Sequence, residues 1–174
     1  MGARLGTVDC LLVAVALGAL AYVAWRYCVE RSQPHTILRL REDVRRVRNA
    51  LIGREDLDDD VRTLLRRLDY RLIVAADDTT TRYKRSIRVC VREDARFGAK
   101  TNHDMHLFAL LHEVAHVMTP EWGHGPNFWQ NFSVLLDVAD DIGVLDLPEL
   151  RRVMNDGDPP FRLCDHDLHG GYLP

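Results

Sequence analysis

Apolar residues follow different rhythms along the chain. From Cys10 to Trp25 sixteen residues carry no charge, and the run reaches Val29 if Arg26 snorkels, twenty residues in all. After Ser32-Gln33-Pro34, the residues Ile37, Leu40, Val44, Val47 and Leu51 recur at steps of three and four. That spacing predicts an amphipathic helix with Arg on its outer face, closed by Gly53. Leu57, Val61, Leu64, Leu65 and Leu68 repeat the pattern in a second helix, with acids in its first turn where the helix dipole favours them. Residues 71–75 and 86–92 read as short strands, separated by the polar loop Asp77-Asp78-Thr79-Thr80-Thr81.

From Asn102 to Met118 nearly every position is apolar, and neither Gly nor Pro intervenes before Pro120. This predicts a helix buried on most sides, starting at Asn102. Gly125-Pro126 then opens another helix. Its stripe of Phe128, Trp129, Phe132, Leu135, Leu136 and Ile142 packs behind the preceding one. Leu147 to Met154 suits one more short helix, and Asp158-Pro159-Pro160 ends regular structure.

Twenty apolar residues span a hydrocarbon core of about 30 Å, so residues 10–29 are expected to form a single transmembrane anchor. Tyr22, Trp25 and Tyr27 cluster at one end, as interfacial aromatics do. Arg26, Arg31, Arg39, Arg41 and Arg45 follow the span, whereas only Arg4 precedes it. The positive-inside rule therefore puts the long C-terminal part in the cytosol. A reducing compartment suits four cysteines without a CxxC pair, although a Cys90–Cys164 bridge stays open.

Overall composition is that of a globular protein, 47% hydrophobic and 28% charged, with net charge −3. The charge is uneven. Residues 36–100 hold 17 Arg or Lys against 12 acids, and residues 101–174 hold 3 against 12. The acidic half is a poor nucleic-acid surface. A basic face on the Arg-rich helices toward anionic lipid is an alternative to simple packing.

The chemistry lies in LHEVAHVMTPEWGHGPNFW, residues 111–129. His112 and His116 stand four apart and share one helix face. Glu113 completes H-E-x-x-H, in which two imidazoles hold Zn²⁺ and the carboxylate works as general base. An otherwise apolar helix needs a reason to hold two His and a Glu. After the turn Thr119-Pro120-Glu121-Trp122-Gly123, His124 is placed to return to the same metal. Three protein ligands and one water make a catalytic zinc arrangement. Glu121, Asp137, Asp140 and Asp141 are alternative third ligands. Thr119 and Trp122 stand where a metzincin would carry Gly and His. Upstream, His103 and His106 suit the start of the helix as capping or solvated residues, with His106 an alternative outer partner of the metal.

Together, His112-Glu113-x-x-His116, His124-Gly125 and Phe128-Trp129 in HEVAHVMTPEWGHGPNFWQNF resemble the WLM and SprT-like (Spartan-like) zinc metallopeptidases. The upstream strand IRVCVRED is similar to the strand before their active helix. The whole layout resembles small membrane-anchored members in large DNA viruses. The resemblance covers residues 83 to about 140. It implies a minimal zincin fold and peptidase activity. For the best-known relatives it implies digestion of proteins crosslinked to DNA.

The expected fold class is α+β: a minimal zincin-like domain, with a small sheet, the HExxH helix and the following helix, behind an N-terminal transmembrane helix. The expected divisions are a short non-cytosolic 1–9, the anchor 10–29, an Arg-rich helical juxtamembrane region 30–70 and the peptidase domain 71–174. The expected function is a membrane-anchored zinc endopeptidase acting on protein or peptide substrates. Zn²⁺ on His112, His116 and His124 would lower the pKa of its water toward about 7, with Glu113 as general base. Tyr172, His169 and His166 in the tail are candidates to hold the developing oxyanion. A non-catalytic zinc-bound scaffold and a DNA-associated protease acting on crosslinks are the alternatives.

Overall fold

The computed structural model describes residues 7–31, 34–55, 57–69, 73–76, 80–82, 86–156, 161–163 and 166–168. The chain divides into two compact units, residues 1–33 and 34–174. The first holds helix α1 (Thr7–Arg31), whose described side chains, residues 12–24, are all exposed.

The expected membrane span is not supported. Among the described residues, no helix is long and apolar enough to cross a membrane. The single-pass localisation and the cytosolic placement derived from that span fall with it. The reduced-cysteine premise falls separately, because Cys90 is disulfide-bonded.

The second unit is built mainly of helices, which corrects the expected α+β zincin-like architecture. Its helices are α2 (His35–Ile52), α3 (Asp59–Arg67), α4 (Ala99–Met118), α5 (Pro126–Asp141) and α6 (Leu147–Asp156). Strands β1 (Ile73–Ala75), β2 (Thr80–Arg82) and β3 (Ser86–Val89) are only three or four residues long. They form one sheet in the order β1-β3-β2, with β1 parallel and β2 antiparallel to β3. Thr80 and Thr81, expected in the loop 77–81, therefore belong to a strand with Arg82. The β-branched Thr80 and Thr81 suit that role, but polarity masked it. In the tail, β4 (Phe161–Leu163) and β5 (His166–Leu168) pair antiparallel, beyond the point where regular structure was expected to end.

The heptad-like spacing of α2 works as the pattern implies. Ile37, Leu40, Val44, Val47 and Leu51 enter the same core as Leu65, Ile73, Ile87 and the apolar face of α4. So α2 is part of the compact unit and not a spacer. Arg41 departs from the expected outer Arg face. It is 7% exposed, and its Nε donates to the Ile73 carbonyl at 2.9 Å, satisfying a backbone acceptor in β1. In α3, Asp58 is the N-cap, its carboxylate accepting from the Asp60 and Val61 N–H groups at 2.8 and 3.3 Å.

Helix α4 starts three residues earlier than expected. Gly98 is its N-cap, and Asn102 instead bridges back to the preceding loop. Its Oδ1 accepts from Asp94 N–H at 2.7 Å, and its Nδ2 donates to the Asp94 and Phe97 carbonyls, each at 3.0 Å. Buried on most sides, α4 packs most heavily on α5. Phe108 and Phe132 meet there with ring centroids 5.2 Å apart.

Candidate metal centre

Two local devices shape the turn that joins α4 to α5. Thr119, 2% exposed, donates from Oγ1 to the Ala115 carbonyl at 2.8 Å. The same oxygen accepts from Asn131 Nδ2 at 3.1 Å, tying the end of α4 to α5. Gly123 takes φ +91°, a conformation that costs an L side chain about 1–2 kcal/mol. This turn reverses the chain and returns His124 to the face of α4 that carries His112 and His116. Thr119→Val keeps the volume but removes both hydrogen bonds. We expect a loss of about 1–3 kcal/mol, a fall in Tm of roughly 3–10 °C. An unchanged Tm by calorimetry would exclude this role for Thr119.

His112, His116 and His124 are positioned to hold a metal ion. Each offers a ring nitrogen, and these atoms all lie within 4.8 Å of one another. His112 Nε2 and His124 Nε2 are 3.0 Å apart. Two nitrogens bound tetrahedrally to Zn²⁺ at 2.0–2.1 Å would stand roughly 3.3 Å apart, so little movement is needed. The three rings form a near-equilateral triangle, with centroids 5.1, 4.9 and 4.9 Å apart.

Phe128 lies 4.9, 4.5 and 4.6 Å from the same three rings. A point nearly equidistant from three such corners sits over the triangle's centre. Fully buried Phe128 therefore covers one face of the triad, with Phe132 and half-buried Trp129 around it. The aromatic stripe of α5 does pack behind the histidines. On the solvent side, residues 120–127 are exposed, and Trp122 is 77% exposed.

Glu113 follows His112 on α4 and is 8% exposed. The alternative ligands are engaged elsewhere or remain apart. Glu121 accepts from Asn127 Nδ2 at 3.0 Å, and Asp140 accepts from the Leu147 N–H at 3.0 Å. Among the described residues, neither they nor Asp137 and Asp141 join the triad. The tail candidates Tyr172 and His169 lie outside the described residues, as does the side chain of His166.

Burial, followed by the charges of His116 and His124, lowers the His112 pKa to about 3. Its imidazole therefore stays neutral and able to donate a lone pair at ordinary pH. An unfolded imidazole titrates near 6.5. Between about 6.5 and 3 the unfolded chain binds a proton that folded His112 refuses. The metal-free protein should thus lose stability as pH falls below about 6.5, and this contribution should level off near 3. The urea midpoint of chelator-treated protein should be lower at pH 5 than at pH 7.5. His112→Gln should shrink that difference, and an undiminished difference would contradict the assignment.

The sequence placed His103 and His106 at a capped or solvated helix start, but both are buried. His103 Nε2 contacts Asp43 Oδ2 at 2.8 Å, and His106 Nε2 contacts the Arg92 carbonyl at 3.2 Å. Asp43 comes from α2, sixty positions away, and the Arg92 partner is a backbone group. Only folding reveals either.

No protein-family model matches the chain, and no solved structure matches it. The chain is similar to uncharacterized protein 136R of Invertebrate iridescent virus 6, with 37% identity over 65 residues. The match covers 36% of this chain and 36% of that protein.

Proposed function

We propose that the protein is a zinc-dependent metallopeptidase, with His112, His116 and His124 as ligands and Glu113 as general base. The observation that carries this is the gathering of three ligand nitrogens within 4.8 Å beside a buried glutamate. The resemblance of the motif to WLM and SprT-like peptidases supports the same reading.

The residues suit hydrolysis better than a purely structural site. Three imidazoles leave one position of a tetrahedral ion for solvent or substrate. Phe128 covers one face of the triangle, so approach comes from the exposed 120–127 side. A bound Zn²⁺ would supply an acidified water and a Lewis acid for the scissile carbonyl. Glu113 takes the proton from the attacking water and passes it to the leaving amine. A structural site has no need of such a base next to its ligand.

The reading is tested by reconstitution. Full-length protein stripped by a chelator should not cleave an unfolded protein substrate. One equivalent of Zn²⁺ should restore cleavage, with new amino termini identified by mass spectrometry. Cleavage that survives chelation, or zinc-loaded protein that never cleaves, would overturn it.

A further inference from the structure

We propose that His103 and His106, with Glu93 and His35, form a second site for a divalent transition ion such as Zn²⁺ or Co²⁺. The first ground is the direction of the histidine hydrogen bonds. A carbonyl oxygen can only accept, so His106 Nε2 carries the hydrogen it shares with Arg92, and Nδ1 keeps its lone pair. His103 Nε2 likewise donates to the carboxylate of Asp43, leaving Nδ1 as the second nitrogen of its ring. An N–H committed to a carboxylate or backbone carbonyl is the outer-sphere arrangement of metal-ligating histidines.

The second ground is an unmet acceptor. His106 is 1% exposed, and its Nδ1 is buried with no hydrogen-bond partner. The ring lines a cavity of about 180 Å³ shared with His35, Arg39, Glu93 and His103. His103 and His106 stand three apart, on one face of α4. Burial, the largest cause, lowers the His106 pKa, which keeps the ring neutral. The cavity has room for an ion and several waters, each of about 30 Å³.

Charge is consistent with a cation. Glu93 faces the cavity directly, and Asp43 stands behind His103. Exposed Arg39 lines it too, and also lines a neighbouring cavity together with Asp104, Asp140 and Asp146. Among the described residues only the triad has its donors gathered within 4.8 Å, so the second site must close. Exposed His35 and Glu93 would swing inward. The first equivalent of metal therefore goes to the triad and the second to this site. An ion here would tie the start of α2 and the 90–98 loop to α4, the helix that carries His112.

The test uses full-length protein and Co²⁺ or Zn²⁺ alone. The double variant His112→Asn/His116→Asn, folded by circular dichroism, should still bind one Co²⁺. Adding His35→Ala and Glu93→Gln, both surface changes, should weaken that binding at least tenfold. In wild type, the second equivalent of Zn²⁺ should shift the ¹⁵N resonances of His103 and His106 Nδ1 and not those of Nε2. A folded double variant that binds no Co²⁺, or binds it equally well with His35 and Glu93 replaced, would overturn the site. Unchanged Nδ1 resonances under saturating Zn²⁺ would do so even if the double variant fails to fold.

Discussion

His116→Ala should lower the affinity of the triad for Zn²⁺ by roughly a hundred- to a thousandfold. Four-ligand zinc sites bind with about 10–16 kcal/mol, which apportions roughly 3–4 kcal/mol to each ligand. At 1.4 kcal/mol per decade, losing one ligand costs two to three decades. His116 is only half-buried and stands over Phe128, so its truncation leaves the core of α4 and α5 in place. Competition with a chromophoric chelator measures the change. Glu121→Gln is the control and should change affinity less than twofold, because Glu121 is held by Asn127 outside the triad. A larger effect at Glu121 than at His116 would mean the ligand set is wrong.

Glu113→Gln should lower kcat/KM for a peptide by about a hundred- to ten-thousandfold, the usual worth of a positioned general base. The amide keeps the volume of the carboxylate and loses its basicity. Zinc affinity should therefore stay within about twofold, and KM should change little while kcat falls. Steady-state cleavage of a fluorogenic peptide separates these terms. A mutant that retains full kcat would remove Glu113 from the chemistry. A mutant that loses zinc as well would give it a structural place instead.

The helix carrying the site was legible because its signal is local. His112 and His116 follow from a spacing of four, and α4 from an apolar run without Gly or Pro. His124 needed a turn, and the turn needed Gly123 with φ +91° and Thr119 bridged to Asn131. The glycine was visible in the sequence, but the bridge was not. Arg41 went the other way: it stands four past Ile37 and three before Val44, on the buried face, but its charge hid that it points inward at the Ile73 carbonyl. Thr80 and Thr81 read as loop because they are polar and follow Asp77-Asp78, although their strand pairs with the neighbouring β3. The apolar N-terminal run showed its hydropathy plainly, yet it does not stand as a membrane span among the described residues. The His103–His106 cavity was least legible, since Asp43 and the Arg92 carbonyl reach it only through the fold.

The central claim is a three-imidazole centre with one position left open for water. X-ray absorption at the zinc edge, on full-length protein loaded with one equivalent of Zn²⁺, tests it directly. The predicted spectrum has three imidazole nitrogens and one light oxygen at about 2.0–2.1 Å, the oxygen being displaced by a hydroxamate. A sulfur ligand at about 2.3 Å, or a fourth protein ligand that hydroxamate cannot displace, would make the site structural and contradict the account.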